Sequence, residues 1–224
     1  MTGPNVEVVN LTFHGIGTPS RPLEPGEDKY WIDRDSFLAI LDEVHDRMDV
    51  RLTFDDGNAS DVDVALPAVA ERGMEASFFV VAGRLGKPGS VDIDGLRALT
   101  AQHMNIGTHG MSHRSWRGLS DNDRRVELVD ARQAIAEACG ATVDTAALPL
   151  GQYDRRVLGA LRALGYRVVY SSDRCRASAG AWFQPRYTVR AGDTPGSIQR
   201  SVLAARPVRE RLRTRFVGMA KRWR

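Results

Sequence analysis

Strand-like and helix-like stretches alternate along almost the whole chain, and no other feature constrains the fold as strongly. Residues 6–13 are apolar and rich in β-branched side chains, the composition of a strand. Residues 17–28, with Pro19, Pro22, Pro25 and Gly26, read as a loop. Asp33 then caps a helix in which Phe37, Ile40, Leu41, Val44 and Met48 recur at helical spacing. A second strand over 50–54 ends at Asp55-Asp56-Gly57, and a helix around 59–72 leads to a third strand over 76–81. A helix near 92–102 precedes a short strand over 104–107, and Ser120 with Asp123 makes a capping box that opens a helix to about Cys139. Strands follow near 143–148, 166–170 and 187–190, with a helix over 154–164 between the first two. Such alternation implies parallel strands joined by crossover helices, an α/β fold. About seven strands suit a closed or nearly closed (β/α) barrel better than an open sheet, although periodicity alone does not separate the two.

The length, 224 residues, suits one compact domain. With 42% hydrophobic and 26% charged residues, the composition excludes disordered and fibrous classes. No apolar run is long enough to span a membrane, and the first residues lack the basic and apolar segments of a secretory signal. Cys139 and Cys175 are too few for a disulfide framework and are expected to be reduced thiols, so a cytoplasmic location is expected.

The net charge of +3 is unevenly placed. Residues 206–224 hold eight basic side chains against Glu210 alone, which leaves 23 basic and 27 acidic residues in 1–205, a net −4. A mildly acidic body excludes a nucleic-acid footprint over the domain. Within the tail Val208, Leu212, Phe216, Met219 and Trp223 would form one apolar stripe on a helix, with Pro207 at its first position. That basic amphipathic pattern fits either a peripheral contact with an anionic membrane or a last helix docked on the barrel. The expected organisation is therefore one domain over 1–205 and a basic tail over 206–224.

Reactive side chains in such folds gather where strands end. His14 follows the first strand, Asp55 and Asp56 the second, and His109 and His113 the fourth. Two adjacent carboxylates would repel each other if desolvated without a cation, and Gly57 lets the chain turn so that both face one pocket. A solvated Asp-Asp-Gly turn is the plain alternative. The four-residue spacing of His109 and His113 lets two imidazoles converge on one metal. By contrast His45 and His103 sit in or beside helices and read as surface or satisfied residues. Together, two imidazoles and a carboxylate make a three-ligand set typical of hydrolytic zinc, leaving the second carboxylate to take a proton from water. Gly15-Ile16-Gly17 is too short for a dinucleotide fingerprint, and neither a phosphate-binding loop nor a serine elbow is present. Trp116, Tyr153 and Trp182 follow strands and suit either sugar stacking or core packing.

Thr53-Phe54-Asp55-Asp56-Gly57 followed by His109-x-x-x-His113 resembles the first two motifs of the polysaccharide deacetylases, the NodB homology domain or carbohydrate esterase family four. The resemblance covers roughly residues 8–190. It implies a distorted (β/α) barrel that removes acetyl groups from N-acetylated sugars, with Asp56, His109 and His113 binding a divalent metal and Asp55 as general base; zinc is the expected ion. It also implies an oxyanion donor in a backbone N–H, here that of Leu150. Two departures stand out. The family's third motif begins with an arginine that orients the base, and this chain has Ala147 there; Arg174 or Arg186 would have to supply the guanidinium from elsewhere. The late Leu-x-His of the family is absent, since no histidine follows His113. Thr12-Phe13-His14-Gly15 resembles exopolysaccharide-associated members, in which the acid histidine sits at the end of the first strand. A non-catalytic glycan-binding relative and a hydrolase of small amides or ureides are the alternative readings of the same residues.

Overall fold

A computed structural model describes residues 6–204. Its strands are β1 (Glu7–Phe13), β2 (Val50–Asp56), β3 (Ala76–Val80), β4 (Asn105–Thr108), β5 (Thr145–Ala147), β6 (Val168–Ser171), β7 (Ala177–Ser178) and β8 (Phe183–Thr188). The helices are α1 (Arg34–Val44), α2 (Leu66–Glu71), α3 (Ile93–Ala101), α4 (Asp121–Arg125), α5 (Ala131–Cys139), α6 (Arg155–Ala163) and α7 (Pro195–Ile198). Asp33, Asp92, Ser120 and Asp154 each accept the backbone N–H three residues on, which satisfies an amide that the first helical turn leaves without a partner.

Among the described residues seven parallel strands run in the order β2-β3-β4-β5-β6-β8-β1, and β1 pairs again with β2. The sheet therefore closes into a barrel, which settles what periodicity left open. The weakest seam is between β4 and β5, held by the single register pair Thr108 and Ala146. β7 lies outside the barrel, antiparallel to the start of β1.

The period-two alternation of each strand divides its side chains between two environments. Leu11, Phe13, Leu52, Phe54, Phe78 and Ile106 join the helices in the outer core. Phe54 stacks on Phe78 at 4.6 Å and on Phe13 at 5.5 Å, while Phe37 of α1 meets Phe13 edge-on at 5.0 Å. The inward positions are largely polar: Asn10 bonds Gln184, Thr12 bonds Thr53, and Asn105 bonds Ser77 and Thr145. Phe79, Ala147 and Tyr170 fill the remaining interior. Gly107 makes room for them, because a Cβ there would lie 2.4 Å from the Phe79 ring.

Several boundaries differ from the sequence reading. The last barrel strand covers Phe183–Thr188 rather than 187–190, because Pro185 interrupts the apolar run while the ladder carries on through it. The helix expected from Ser120 to Cys139 is continuous but loosened over Val126–Asp130. β7 and α7 were not foreseen, since each is too short to show a period. Among the described residues no helix is long and apolar enough to cross a membrane. The proposed basic tail, 206–224, lies outside the described residues.

Candidate metal centre and active site

The carboxyl ends of β1, β2 and β4 meet at one mouth of the barrel. At the end of β2 the alternation sends Asp55 inward. Asp56 would then point away, but its backbone is left-handed at φ 78, and Gly57 follows at φ 68. This double turn brings both carboxylates to the same cavity. It needs glycine at 57, where a Cβ would meet Val80 Cγ1 at 3.0 Å and φ is positive.

The Asp56 carboxylate is buried, and neither of its oxygens has a hydrogen-bond partner. His113 Nε2 lies 3.3 Å from it and His109 Nε2 3.8 Å. Both imidazoles are anchored through the other nitrogen. His109 Nδ1 is 2.9 Å from the Ala147 carbonyl and His113 Nδ1 is 2.8 Å from the Glu24 carboxylate. A carbonyl and a carboxylate only accept, so each Nδ1 carries a proton and each Nε2 is the ring nitrogen left to face a cation. Burial pushes the His109 imidazole down to about 4, so it is neutral near pH 7. Two imidazole Nε2 atoms and a buried carboxylate thus converge. The ligand atoms of Asp56, His109 and His113 all lie within 4.8 Å of one another, and this donor set fits a divalent cation.

Asp55 is held differently. Arg186 donates from both terminal nitrogens to its two oxygens at 2.7 Å, and both side chains are buried. Burial alone would raise the Asp55 carboxyl, but the Arg186 guanidinium, with smaller contributions from His109 and His14, holds it at about 2. Arg186 sits between the Phe79 and Tyr170 rings, at 5.4 and 5.7 Å. Of the two arginines left open by the sequence, Arg186 reaches the carboxylate. Arg174 instead donates to the Thr188 carbonyl at 3.3 Å.

His14 lines the same cavity, because barrel closure places β1 between β8 and β2. Its ring stacks on Tyr30 at 4.9 Å, and its Nδ1 is buried without a partner. Leu150 lies on the opposite rim with a left-handed backbone, φ 58. The cavity holds about 230 Å³, less than the 300–1,000 Å³ that encloses a drug-sized ligand, so only a small group or one ring is engulfed.

Trp182 is corrected from a substrate candidate to a packing residue. It precedes β8 at the opposite end of the barrel, where its indole donates to the Tyr166 carbonyl at 2.7 Å and Arg162 covers its ring. Trp116 and Tyr153 are likewise buried in the second core cluster. Two residues that position the site were not foreseen. Glu24 lies in the proline-rich loop. Glu127, buried beneath the histidine loop, accepts the Met111 N–H at 2.8 Å and the Trp116 indole at 3.4 Å. Neither has a short-range signature, since each partner is at least 11 residues away.

Comparison with known proteins agrees with this geometry. The polysaccharide deacetylase family profile matches residues 42–169, more than half of the chain. The protein named "Putative polysaccharide deacetylase YxkH" of Bacillus subtilis (strain 168) is 22% identical over 72% of this chain, which spans 57% of that protein's length. The deacetylase PplD of Streptococcus pyogenes, solved in complex with acetate, superposes with a TM-score of 0.76 at 18% identity, covering 88% of this chain and 99% of that one. IcaB from Ammonifex degensii superposes with a TM-score of 0.71 at 20% identity, covering 88% and 97%. The structural matches speak for the fold. The Asp-Asp-Gly and His-x-x-x-His motifs, now seen at one barrel mouth inside the matched segment, place the chain in the polysaccharide deacetylase family.

Proposed function

We propose that the chain is a metal-dependent hydrolase that removes N-acetyl groups from an N-acetylated sugar in a glycan or glycan precursor. The observation that carries this reading is the pairing of an orphaned three-ligand cluster with an adjacent carboxylate kept ionised by Arg186. Asp56, His109 and His113 would hold the cation, with zinc expected. When bound, it supplies Lewis acidity toward the acetamide carbonyl and lowers the pKa of water.

The chain's own groups do the rest. Each Asp55 oxygen keeps a lone pair beyond the one it gives Arg186, so the carboxylate accepts the proton of a water attacking the acetyl carbon. The Leu150 backbone N–H donates to the oxygen that gains charge. His14 gives a proton to the sugar nitrogen as the C–N bond breaks, releasing acetate and an amine. The acetate in the complex of the S. pyogenes relative is the product such a reaction would leave.

Purified protein supplied with zinc is expected to release acetate from N-acetylglucosamine oligomers. Asp55→Asn should abolish release while zinc content stays at the wild-type level, and His14→Ala should lower the rate with zinc retained. Saccharide binding without any acetate release from the wild type would overturn the hydrolase reading. A membrane contact through residues 206–224 is part of the proposal, supported by their charge and apolar stripe. Deleting them should release the protein from anionic vesicles.

A further inference from the structure

The proline-rich loop brings a carboxylate onto one of the metal-site histidines. Glu24 Oε2 lies 2.8 Å from His113 Nδ1 across 89 residues of sequence, while its other oxygen pairs with Arg84. The loop is braced to deliver it. Glu27 accepts the Glu24 backbone N–H at 2.8 Å and pairs with Arg21. Arg21 donates to Asn58 Oδ1 at 3.0 and 2.8 Å, directly after the Asp55-Asp56-Gly57 turn. One loop thus ties the segment bearing Asp56 to the ring of His113.

The two histidines have unlike anchors. His109 Nδ1 faces a backbone carbonyl in the barrel wall, whereas His113 Nδ1 faces a side-chain carboxylate at the rim. A carboxylate behind an imidazole fixes its tautomer and ring angle and makes the far nitrogen a stronger donor to a cation. We propose that Glu24 is a positioning residue for the metal centre: it holds His113 as the Nδ1–H form with Nε2 aimed at the cation and strengthens that ligand. The proposal rests on the reading that Asp56, His109 and His113 bind a divalent cation. A mere surface ion pair between Glu24 and Arg84 would contribute little to stability and nothing to metal affinity.

The test uses the metal-free full chain titrated with Zn2+ against a chromogenic chelator, with thermal unfolding of each apo variant as a check of folding. Glu24→Ala should bind Zn2+ about 10- to 100-fold more weakly than wild type. Glu24→Gln keeps an acceptor oxygen but no charge, so its affinity should fall between the two. The Co2+-loaded Glu24→Ala protein should also show shifted visible bands, reporting a reoriented ligand. Wild-type Zn2+ affinity and an unchanged Co2+ spectrum in both variants would overturn the role of Glu24, while tight wild-type binding lost in Asp56→Ala would leave the cation site standing. Absence of binding by the wild type, or unchanged binding by Asp56→Ala, would instead overturn the cation site and the Glu24 role with it.

Discussion

Arg186 and Asp55 form a two-pronged buried ion pair across the barrel interior, from strands β8 and β2 that are separated by β1. The pair lies 131 residues apart in sequence, and its bonds at 2.7 Å leave the carboxylate both oriented and charged. In this chain the guanidinium that holds Asp55 comes from β8, while Ala147 stands at the end of β5.

Removing one partner of such a pair strands the other charge in a dry interior. Arg186→Met should therefore destabilise the fold by about 3–5 kcal/mol, and Arg186→Met combined with Asp55→Asn should recover much of that loss. Urea unfolding midpoints of the single and double variants measure both. Arg186→Lys should rescue little, because an ammonium group cannot match two oxygens at once.

Acid should lower the stability of the metal-free protein over two pH ranges, one set by His109 and one by Asp55. His109 has a folded pKa of about 4 against an ordinary 6.5. Its contribution is fully present above pH 6.5 and is lost as pH falls toward 4, about 3 kcal/mol in all. Asp55 sits at about 2 against an ordinary 3.8. Its contribution is intact above about pH 4 and disappears as pH falls through 2, about 2 kcal/mol. Stability measured against pH should lose the upper step in His109→Gln and the lower step in Asp55→Asn.

Glu127 should matter to metal binding without touching the metal. Its carboxylate gathers the Met111 and Ser112 amides, the Ser112 hydroxyl and the Trp116 indole beneath the loop that carries His109 and His113. Glu127→Ala should cost about 1–3 kcal/mol of stability through buried donors left unpaired. It should also weaken zinc binding, which calorimetry on the same samples would read.

Gly107 should tolerate no side chain. Gly107→Ala drives a Cβ against Phe79 and Thr145 Oγ1, at 2.4 and 2.6 Å, and should cost about 1–3 kcal/mol. Adding Phe79→Leu should return part of it, as thermal unfolding of the pair would show.

The outer core and the ligand motifs are legible in the sequence, because both are short-range. Phe37, Ile40, Leu41 and Val44 on α1, and the alternating residues of β1 and β2, declare their buried faces by spacing alone. The Asp55-Asp56-Gly57 turn and the His109/His113 pair likewise each span only a few residues. Sugar-stacking aromatics were a weaker inference: Trp116 and Trp182 spend their indole N–H groups on Glu127 and on the Tyr166 carbonyl.

By itself, then, the sequence determined the α/β rhythm, the strand ends that carry chemistry, and the residue types able to hold a cation. Tertiary structure alone decided that the sheet closes, that Arg186 rather than Arg174 reaches Asp55, and that Glu24 and Glu127 stand behind the histidines. The physical reason is range. Hydrophobic period and turn chemistry act over a few residues, whereas a buried charge takes its partner from whichever distant strand barrel closure sets beside it.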